Sequence, residues 1–404
     1  MAISPARQTA FGILLRIERD GAYADELLHR AQLSSRDHGL ATELVLGVVR
    51  WRRDLDAALE APLKRKVSSL DLEVQIALRL GAYQIRSLER IPTRAAVSES
   101  VELIKYGPKR SASGLVNAVL RRLPQTEPSL ELSHPAWMIE RWRKRFGAAM
   151  TAQLLAANQS APPTYLRLNA NFPIEETVEQ LASAGVATES TESPTARRLV
   201  SGRPEATEAW QEGRVRIQDL SSQMIVLLLE AEANHRCLDL CAAPGGKTQQ
   251  LVEIRGDRGL VAADLHLHRV RRARALGAGG GHIVLDAAQA LPLQAEFDRI
   301  LVDAPCSGTG SLARNPEIKW KLSLERIEQI SQLQREILRR ALAVLAPGGA
   351  LVYSTCSIEA EENQDVVDYV LAERPEFEID KRFERIPGRN PGDGFMAVRI
   401  RRQA

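Results

Sequence analysis

The rear part of this 404-residue chain is predicted to fold as an α/β domain, preceded by an all-helical front and a small α+β module. Three observations predict it. Residues 1–125 carry apolar residues at helical spacing with no strand-like alternation. From Val215 onward, short apolar runs alternate with helical stretches. Those runs each end near a polar residue, as strands do where a parallel sheet meets a ligand crevice. The expected division is 1–127 all-helical, 128–212 a linker helix and small α+β module, and 213–404 a parallel-rich sheet with helices on both faces.

In the front part, Phe11, Leu14 and Leu15 mark one apolar helix face, and Leu44, Val48, Trp51, Leu55 and Leu59 step along another. The sets Leu72/Ile76/Leu80/Tyr83, Val97/Val101/Ile104 and Val116/Val119/Leu120/Leu123 repeat the period, so a helical bundle is predicted. Leu123-Pro124-Gln125-Thr126-Glu127-Pro128-Ser129 reads as a linker. Beyond it Ile139, Trp142 and Phe146 share a helix face, with Arg141, Arg143, Lys144 and Arg145 on others. Tyr165–Asn169 is strand-like, Ile174–Ala184 helix-like, and Arg198–Val200 a second short strand. In the rear part the predicted strands are Arg236–Leu240, Leu260–Asp264, His282–Asp286, Arg299–Asp303 and Ala350–Ser354, with helices at Ile327–Leu345 and Glu361–Ala372.

A hydrophobic content of 44% and a charged content of 26% are those of a water-soluble globular protein. No apolar run nears the roughly 20 residues that span a bilayer, so no membrane association is expected. Phe11–Leu15 is too short for a signal segment. Four cysteines make no disulfide framework, and the cytoplasm is the expected location. The net charge of +3 is unevenly spread: residues 1–150 hold 24 Lys and Arg against 17 Asp and Glu, the remainder 30 against 34. A basic front suits a polyanion-binding domain, although ordinary surface charge explains the same counts.

The chemistry sits at strand ends. Asp239-Leu240-Cys241-Ala242-Ala243-Pro244-Gly245-Gly246-Lys247-Thr248 turns sharply from a strand into a helix. Gly245 and Gly246 let backbone N–H groups approach a ligand there. The turn is neither a dinucleotide fingerprint nor a Walker loop. Asp264, 25 residues after Asp239, is placed to bind ribose hydroxyls, and Asp286 an adenine amino group. A lone aspartate at a strand end is more often a cap; three of them beside a Gly-Gly turn favour a nucleotide-like cofactor. Cys306 (in Val302-Asp303-Ala304-Pro305-Cys306-Ser307-Gly308) and Cys356 (in Tyr353-Ser354-Thr355-Cys356-Ser357) lie 50 residues apart, each at the end of a predicted strand. A cofactor beside a thiol nucleophile is the equipment for methylating carbon 5 of a pyrimidine. Cys237 reads as a small core hydrophobe and Cys241 as an unreactive pocket wall. Zinc is disfavoured, because no C-x-x-C or His-x-x-x-His frames these thiols.

At these residues the chain resembles the Nop/Sun family of RNA cytosine-C5 methyltransferases. "DLCAAPGGKT", "VDAPCSGTGSLARNPEIKW" and "YSTCSIEAEEN" match its cofactor, Pro-Cys and Thr-Cys motifs in order and spacing. Residues 1–125 resemble a NusB-like helical domain, notably in "RIPTRAAVSESVELIKYGPKRSASGLVNAVLRRL", and "SHPAWMIERW" and "RIQDLSSQMIVLLL" follow as in the bacterial branch that modifies small-subunit rRNA. The resemblance implies a Rossmann-like class I methyltransferase domain, S-adenosylmethionine as cofactor and small-subunit rRNA as partner; no metal and a monomer are the accompanying expectations. Carried over by position, Cys241, Ala242, Ala243, Pro244, Gly245, Gly246 and Lys247 line the cofactor pocket; Asp264 takes the ribose, Asp286 the adenine side, and Arg269 approaches the cofactor. Asp303 lies near both the methionine moiety and the target base, with Cys356 the nucleophile and Cys306 the helper in product release.

DNA cytosine methylases use a Pro-Cys thiol, where Cys306 sits here, so residue types alone leave the attacking thiol open; the resemblance favours Cys356. A helix amino terminus after Cys356 would lower its pKa, while the like charges of Glu359, Glu361 and Glu362 oppose that shift and suit the helix dipole. Methylation of tRNA or DNA, and a non-catalytic RNA-binding assembly role, are the rival readings. Arg314, Asn315, Lys319 and Trp320 are placed to hold flanking nucleotides, and Lys105, Lys109, Arg110, Arg121 and Arg122 to contact phosphates. RNA affinity, measured by filter binding, is therefore expected to weaken steeply between dilute and physiological salt. Salt-insensitive binding would take the helical domain out of the RNA interface.

Overall fold

A computed structural model describes residues 3–105, 107–293 and 296–404. Two compact units are formed: Met1–Ala161 with Leu312–Lys321, and Pro162–Ser311 with Leu322–Ala404.

The first unit is helical throughout its described residues. Pro5–Asp20 opens with proline at its first turn, where no amide hydrogen is needed, and closes on Gly21 at φ 65°. Helices Ser35–Arg50, Arg52–Leu63, Leu72–Ser87, Thr93–Lys105 and Ser113–Arg121 follow. They bury the predicted faces: Leu14, Leu44, Val48, Leu55, Leu59, Ile76, Leu80, Tyr83, Val97, Ile104, Val116 and Leu120 share one core. Each such side chain contributes about 1.5–3 kcal/mol on leaving water. Gly47 admits the Tyr83 ring, since a Cβ there would lie 2.0 Å from its Cζ. The buried guanidiniums are paired: Arg79 donates to both Asp56 oxygens at 2.7 and 2.8 Å, and Arg86 to Asp54 at 2.7 Å. The segment Ala136–Gln159 breaks at Gly147 (φ 79°, ψ 168°), and its fully buried Trp142 meets His134 edge-on at 6.1 Å.

Residues 312–321 of the rear sequence belong to this helical unit. They supply donors to carbonyls that the helix ends leave unpaired. Trp320 Nε1 donates to the Val49 carbonyl at 2.8 Å, Lys319 Nζ to the Arg50 carbonyl at 2.9 Å, and Lys321 Nζ to those of Gly21 and Ala22 at 2.9 and 2.8 Å. Arg50 donates in return to the Ala313 carbonyl at 2.6 Å, and Glu317 accepts the Ala24 N–H at 3.0 Å. The expectation that Lys319 holds a nucleotide is overturned. Lys319 is 1% exposed and the Trp320 N–H is spent on a helix terminus. Of the expected phosphate contacts, Lys105 pairs with Glu102 and Lys109 with Asp71, while Arg110 and Arg122 are exposed.

The second unit holds two sheets. Strands β1 (Tyr165–Leu168), β2 (Ala187–Ser190), β3 (Ala196–Ser201) and β4 (Val215–Ile217) form an antiparallel sheet in the order β2-β3-β1-β4. Helix Ile174–Ser183 covers it, packing Leu181 with Leu166, Leu168 and Val215. β5 (Cys237–Leu240), β6 (Leu260–Asp264), β7 (Gly281–Val284), β8 (Phe297–Asp303), β9 (Leu345–Thr355), β10 (Phe377–Arg385) and β11 (Phe395–Arg402) form the large sheet, ordered β10-β11-β9-β8-β5-β6-β7. β5 to β9 run parallel, β11 pairs antiparallel with β9, and β10 pairs antiparallel with β11. Alternation buries both faces. Leu238, Leu240, Ile300, Val302 and Tyr353 pack with Ile337, Leu338 and Val367 on one side, while Cys237, Leu301 and Val352 pack with Ile225, Val226 and Leu251 on the other. The predicted third strand, His282–Asp286, is shifted: β7 stops at Val284, leaving Asp286 in the following turn. Among the described residues no helix is long and apolar enough to cross a membrane.

His134 gives the first unit a pH dependence. Burial, and then the Lys319 charge, lower its pKa from 6.5 to about 3. Between those values the unfolded chain binds the proton that the folded chain refuses, so this contribution to stability is present above pH 6.5 and is lost as pH falls toward 3. The loss is at most about 1.4 kcal/mol per pH unit. Urea unfolding at pH 7 and pH 5 should show it, with His134→Gln giving a shallower fall.

Candidate active site

The order β9-β8-β5-β6-β7 reverses direction between β8 and β5, which opens a crevice at the carboxyl ends of these strands. After β5, Cys241 takes φ 62° and starts the turn. Ala242 N–H bonds the Ala263 carbonyl at 2.9 Å, and Ala243 N–H bonds Asp264 Oδ2 at 3.2 Å. Gly245, at φ 107°, leans on Ala273, whose Cβ would lie 2.9 Å from any Cβ at this position. Helix Gly246–Arg255 begins there.

Two buried groups brace the turn. Asp239 accepts the Thr248 hydroxyl at 2.6 Å. Burial pushes its carboxyl up to about 7 against the pull of that hydrogen bond, with the Asp303 charge adding to the rise. Arg167 on β1 donates to Glu253 at 2.9 and 2.7 Å and to the Gly246 carbonyl at 3.1 Å, tying the small sheet to this helix. Sequence reasoning missed Arg167. Its signal was an arginine inside Tyr165-Leu166-Arg167-Leu168, a strand buried at every position.

A cavity of about 370 Å³ lies over the strand ends, within the size range of small-molecule sites. Its wall includes Cys241, Ala243, Asp264, Arg269, Asp286, Asp303, Cys306 and Cys356. Ala242, Pro244, Gly245, Gly246 and Lys247 form the turn behind Cys241 and Ala243 and are not part of the wall. Asp264 is buried and accepts the His266 N–H at 3.1 Å; Asp286 is exposed and accepts the Ala288 N–H at 3.0 Å. Both acids cap turns and still face the cavity. Arg269 donates to the Ala243 carbonyl at 3.1 Å and lies 3.8 Å from Asp264. Apolar walls at Ala243, Leu265, Leu285 and Ala287, with two carboxylates at the rim, fit an adenosyl group.

At the other end of the cavity the two candidate thiols meet, Sγ to Sγ at 3.2 Å. The hydrogen bond to Cys356, then burial, then the charges of Cys356, Glu362 and Asp303 hold the Cys306 thiol well above its ordinary pKa. Cys306 therefore keeps its proton. Lys247 Nζ donates to Asp303 Oδ2 at 2.6 Å, and Ser354 Oγ donates to Asp303 Oδ1 at 3.0 Å. Burial disfavours the Lys247 charge, but Asp303 and the negative charge on Cys356 outweigh it and the ammonium is strengthened. The expected helix amino terminus at Cys356 is absent: β9 ends at Thr355, a 3₁₀ turn spans Ala360–Glu362, and the next helix starts only at Gln364. Cys237 is buried with its thiol pushed up to about 11 by burial, and burial also raises Cys241, whose neighbouring acids add to the effect. Among the described residues no cluster of three His, Cys, Asp or Glu is placed to hold a metal.

The family model for the 16S rRNA methyltransferase RsmB/F matches residues 226–400, the NusB family model matches residues 4–125, and a model for the ferredoxin-like domain of RsmF/B-like methyltransferases matches residues 134–204. A probable ribosomal RNA small subunit methyltransferase B of Bacillus subtilis is 32% identical over 95% of this chain and 92% of its own length. The ribosomal RNA small subunit methyltransferase B of Klebsiella pneumoniae is 33% identical over 91% of each chain. Among solved structures, PH0851 superimposes with a TM-score of 0.82 at 24% identity, covering 99% of both chains. NSun6 from Pyrococcus horikoshii superimposes with a TM-score of 0.60 at 19% identity, covering 67% of this chain and 98% of its own. Both share the fold.

The loops that carry the thiols touch through Gly310, whose N–H bonds the Cys356 carbonyl at 2.9 Å. A Cβ at Gly310 would lie 2.2 Å from the Gly394 carbonyl oxygen and 2.8 Å from that of Cys356. Gly310→Ala is expected to cost about 1–3 kcal/mol, as overpacking against rigid backbone does. Differential scanning calorimetry should show this as a lowered melting temperature.

Proposed function

The chain belongs to the RsmB/F family of 16S rRNA methyltransferases, and from that membership we propose that it methylates C5 of a cytidine in small-subunit rRNA through a covalent adduct to Cys356. The observation that carries this reading is the pair of sulfurs 3.2 Å apart on the cavity wall, beside the Lys247–Asp303 ion pair.

Cytosine C5 is too weak a nucleophile to take a methyl group unaided. Cys356 Sγ, as thiolate, adds to C6; the ring electrons move toward C5, and covalent catalysis exchanges one hard step for easier ones. Bound S-adenosylmethionine supplies the electrophilic methyl group, with Asp264 at its ribose, Asp286 on the adenine side and the Cys241–Lys247 turn beside it. Asp303, held by Ser354 and Lys247, accepts from the exocyclic amine and steadies the ring as charge develops. A base then removes the C5 proton, the S–C6 electron pair returns to sulfur, and aromaticity is restored. Cys306, protonated and in contact with the departing sulfur, assists that elimination. The base must leave its stack to reach Cys356, which favours a single-stranded or loosely paired RNA segment.

Tritium transfer from labelled S-adenosylmethionine to naked rRNA and to assembled small subunits tests the activity, and mapping the modified nucleotide tests the substrate. Cys356→Ala is expected to reduce transfer to background. Cys306→Ala is expected to accumulate an enzyme–RNA adduct that survives denaturing electrophoresis. The opposite pair of results would exchange the two roles, and transfer to tRNA alone would overturn the rRNA assignment.

A further inference from the structure

Glu362 is fully buried six residues after Cys356. Its carboxylate faces the backs of both cysteine loops. Oε1 accepts the Ser307 N–H at 2.6 Å and lies 3.4 Å from Gln334 Nε2; Oε2 accepts the hydroxyls of Ser307 and Ser357. Ser307 directly follows Cys306 and Ser357 directly follows Cys356. One acid thus grips the residue after each thiol. The surroundings hold it in turn: Tyr353 donates to the Glu362 carbonyl at 2.7 Å, and Gln334 donates to the Pro305 carbonyl at 2.8 Å. Thr309 completes the joint, lying 3.2 Å from Ser357 Oγ and accepting the Ile358 N–H at 3.1 Å.

We propose that Glu362 is a positioning residue that sets the separation of the two thiols, by fastening Ser307 and Ser357 to a single carboxylate. The proposal rests on the thiol mechanism above for its catalytic consequence, though not for its geometric one. A buried carboxylate is costly to keep unless its lone pairs are satisfied, so releasing either serine is opposed by the whole network. Burial also raises the Glu362 pKa, while the two serines pull it down. Glu362 touches neither sulfur, and its hold on their separation passes through Ser307 and Ser357.

Two readouts test this. The first is oxidative coupling of Cys306 to Cys356 by diamide, without RNA or cofactor. The azo group takes up the two electrons and two protons that the thiols lose as the S–S bond forms, and peptide mapping identifies the pair. The second is the split between kcat and KM. Glu362→Ala is expected to slow coupling at least about tenfold and lower kcat roughly 10–100-fold, as a displacement near 1 Å does, with KM for S-adenosylmethionine within about twofold. Glu362→Gln, which still accepts the Ser307 N–H while the hydroxyls reverse, should restore both to within about threefold. A folded Glu362→Ala enzyme that couples at the wild-type rate would overturn the proposal, as would failure of the Gln variant to rescue. Should Glu362→Ala lack a cooperative melting transition, the Ser307→Ala/Ser357→Ala double variant carries the same readouts. A Cys356→Ala enzyme that still methylated RNA would retire the thiol mechanism and leave the coupling result standing.

Discussion

The site depends on the in-register parallel pairing of β8 with β9, Val302 opposite Tyr353 and Asp303 opposite Ser354. Parallel neighbours run about 4.8 Å apart and end on the same edge. Two loops that leave them at matching positions must emerge side by side. That is how thiols 50 residues apart in sequence come within 3.2 Å. Helix Leu324–Ala343 serves as the crossover between the strands and packs Ile337, Leu338, Ala341 and Leu342 beneath the sheet. Asp303 gains its orientation from the same register, since Ser354 reaches it from the facing position.

Around that register the charges are arranged by depth. Lys247 is drawn in by Asp303 and by the sulfur of Cys356, while Asp239 below them is held near neutrality by burial. The cation is held at Asp303, on the cavity wall that Cys306 and Cys356 also line. In a low-dielectric crevice such placement is worth far more than it would be in water.

Much of this was legible in the chain, for identifiable reasons. The inner parallel strands were visible because strands buried on both faces read as unbroken apolar runs, and their ends exposed Asp264, Asp303 and Cys356. The small sheet was half visible. β2, Ala187-Thr188-Glu189-Ser190, is largely exposed and β4 has three residues, so neither carries an apolar signature. The third parallel strand slid toward the amino terminus because β7 is an edge strand with Val284 48% exposed, leaving little burial to fix its end. The helix expected from Glu361 begins three residues later, because Glu362 turns its side chain back to Ser307 and Ser357. Lys319 was misjudged because charge in a loop usually means solvent, whereas here the carbonyl of Arg50 needed a donor. In each case the deciding partner lay far away in sequence.

The excursion of Leu312–Lys321 into the helical unit has a consequence for how this architecture can be inherited or dismantled. No single cut in the chain separates two self-sufficient pieces. A fragment beginning after the linker keeps Lys319 and Trp320 but loses Val49 and Arg50, so the buried indole N–H loses its acceptor and Lys319 is left with Gln159. Exchange of the front module between relatives must therefore preserve those helix-end carbonyls or replace the ten-residue insert together with them.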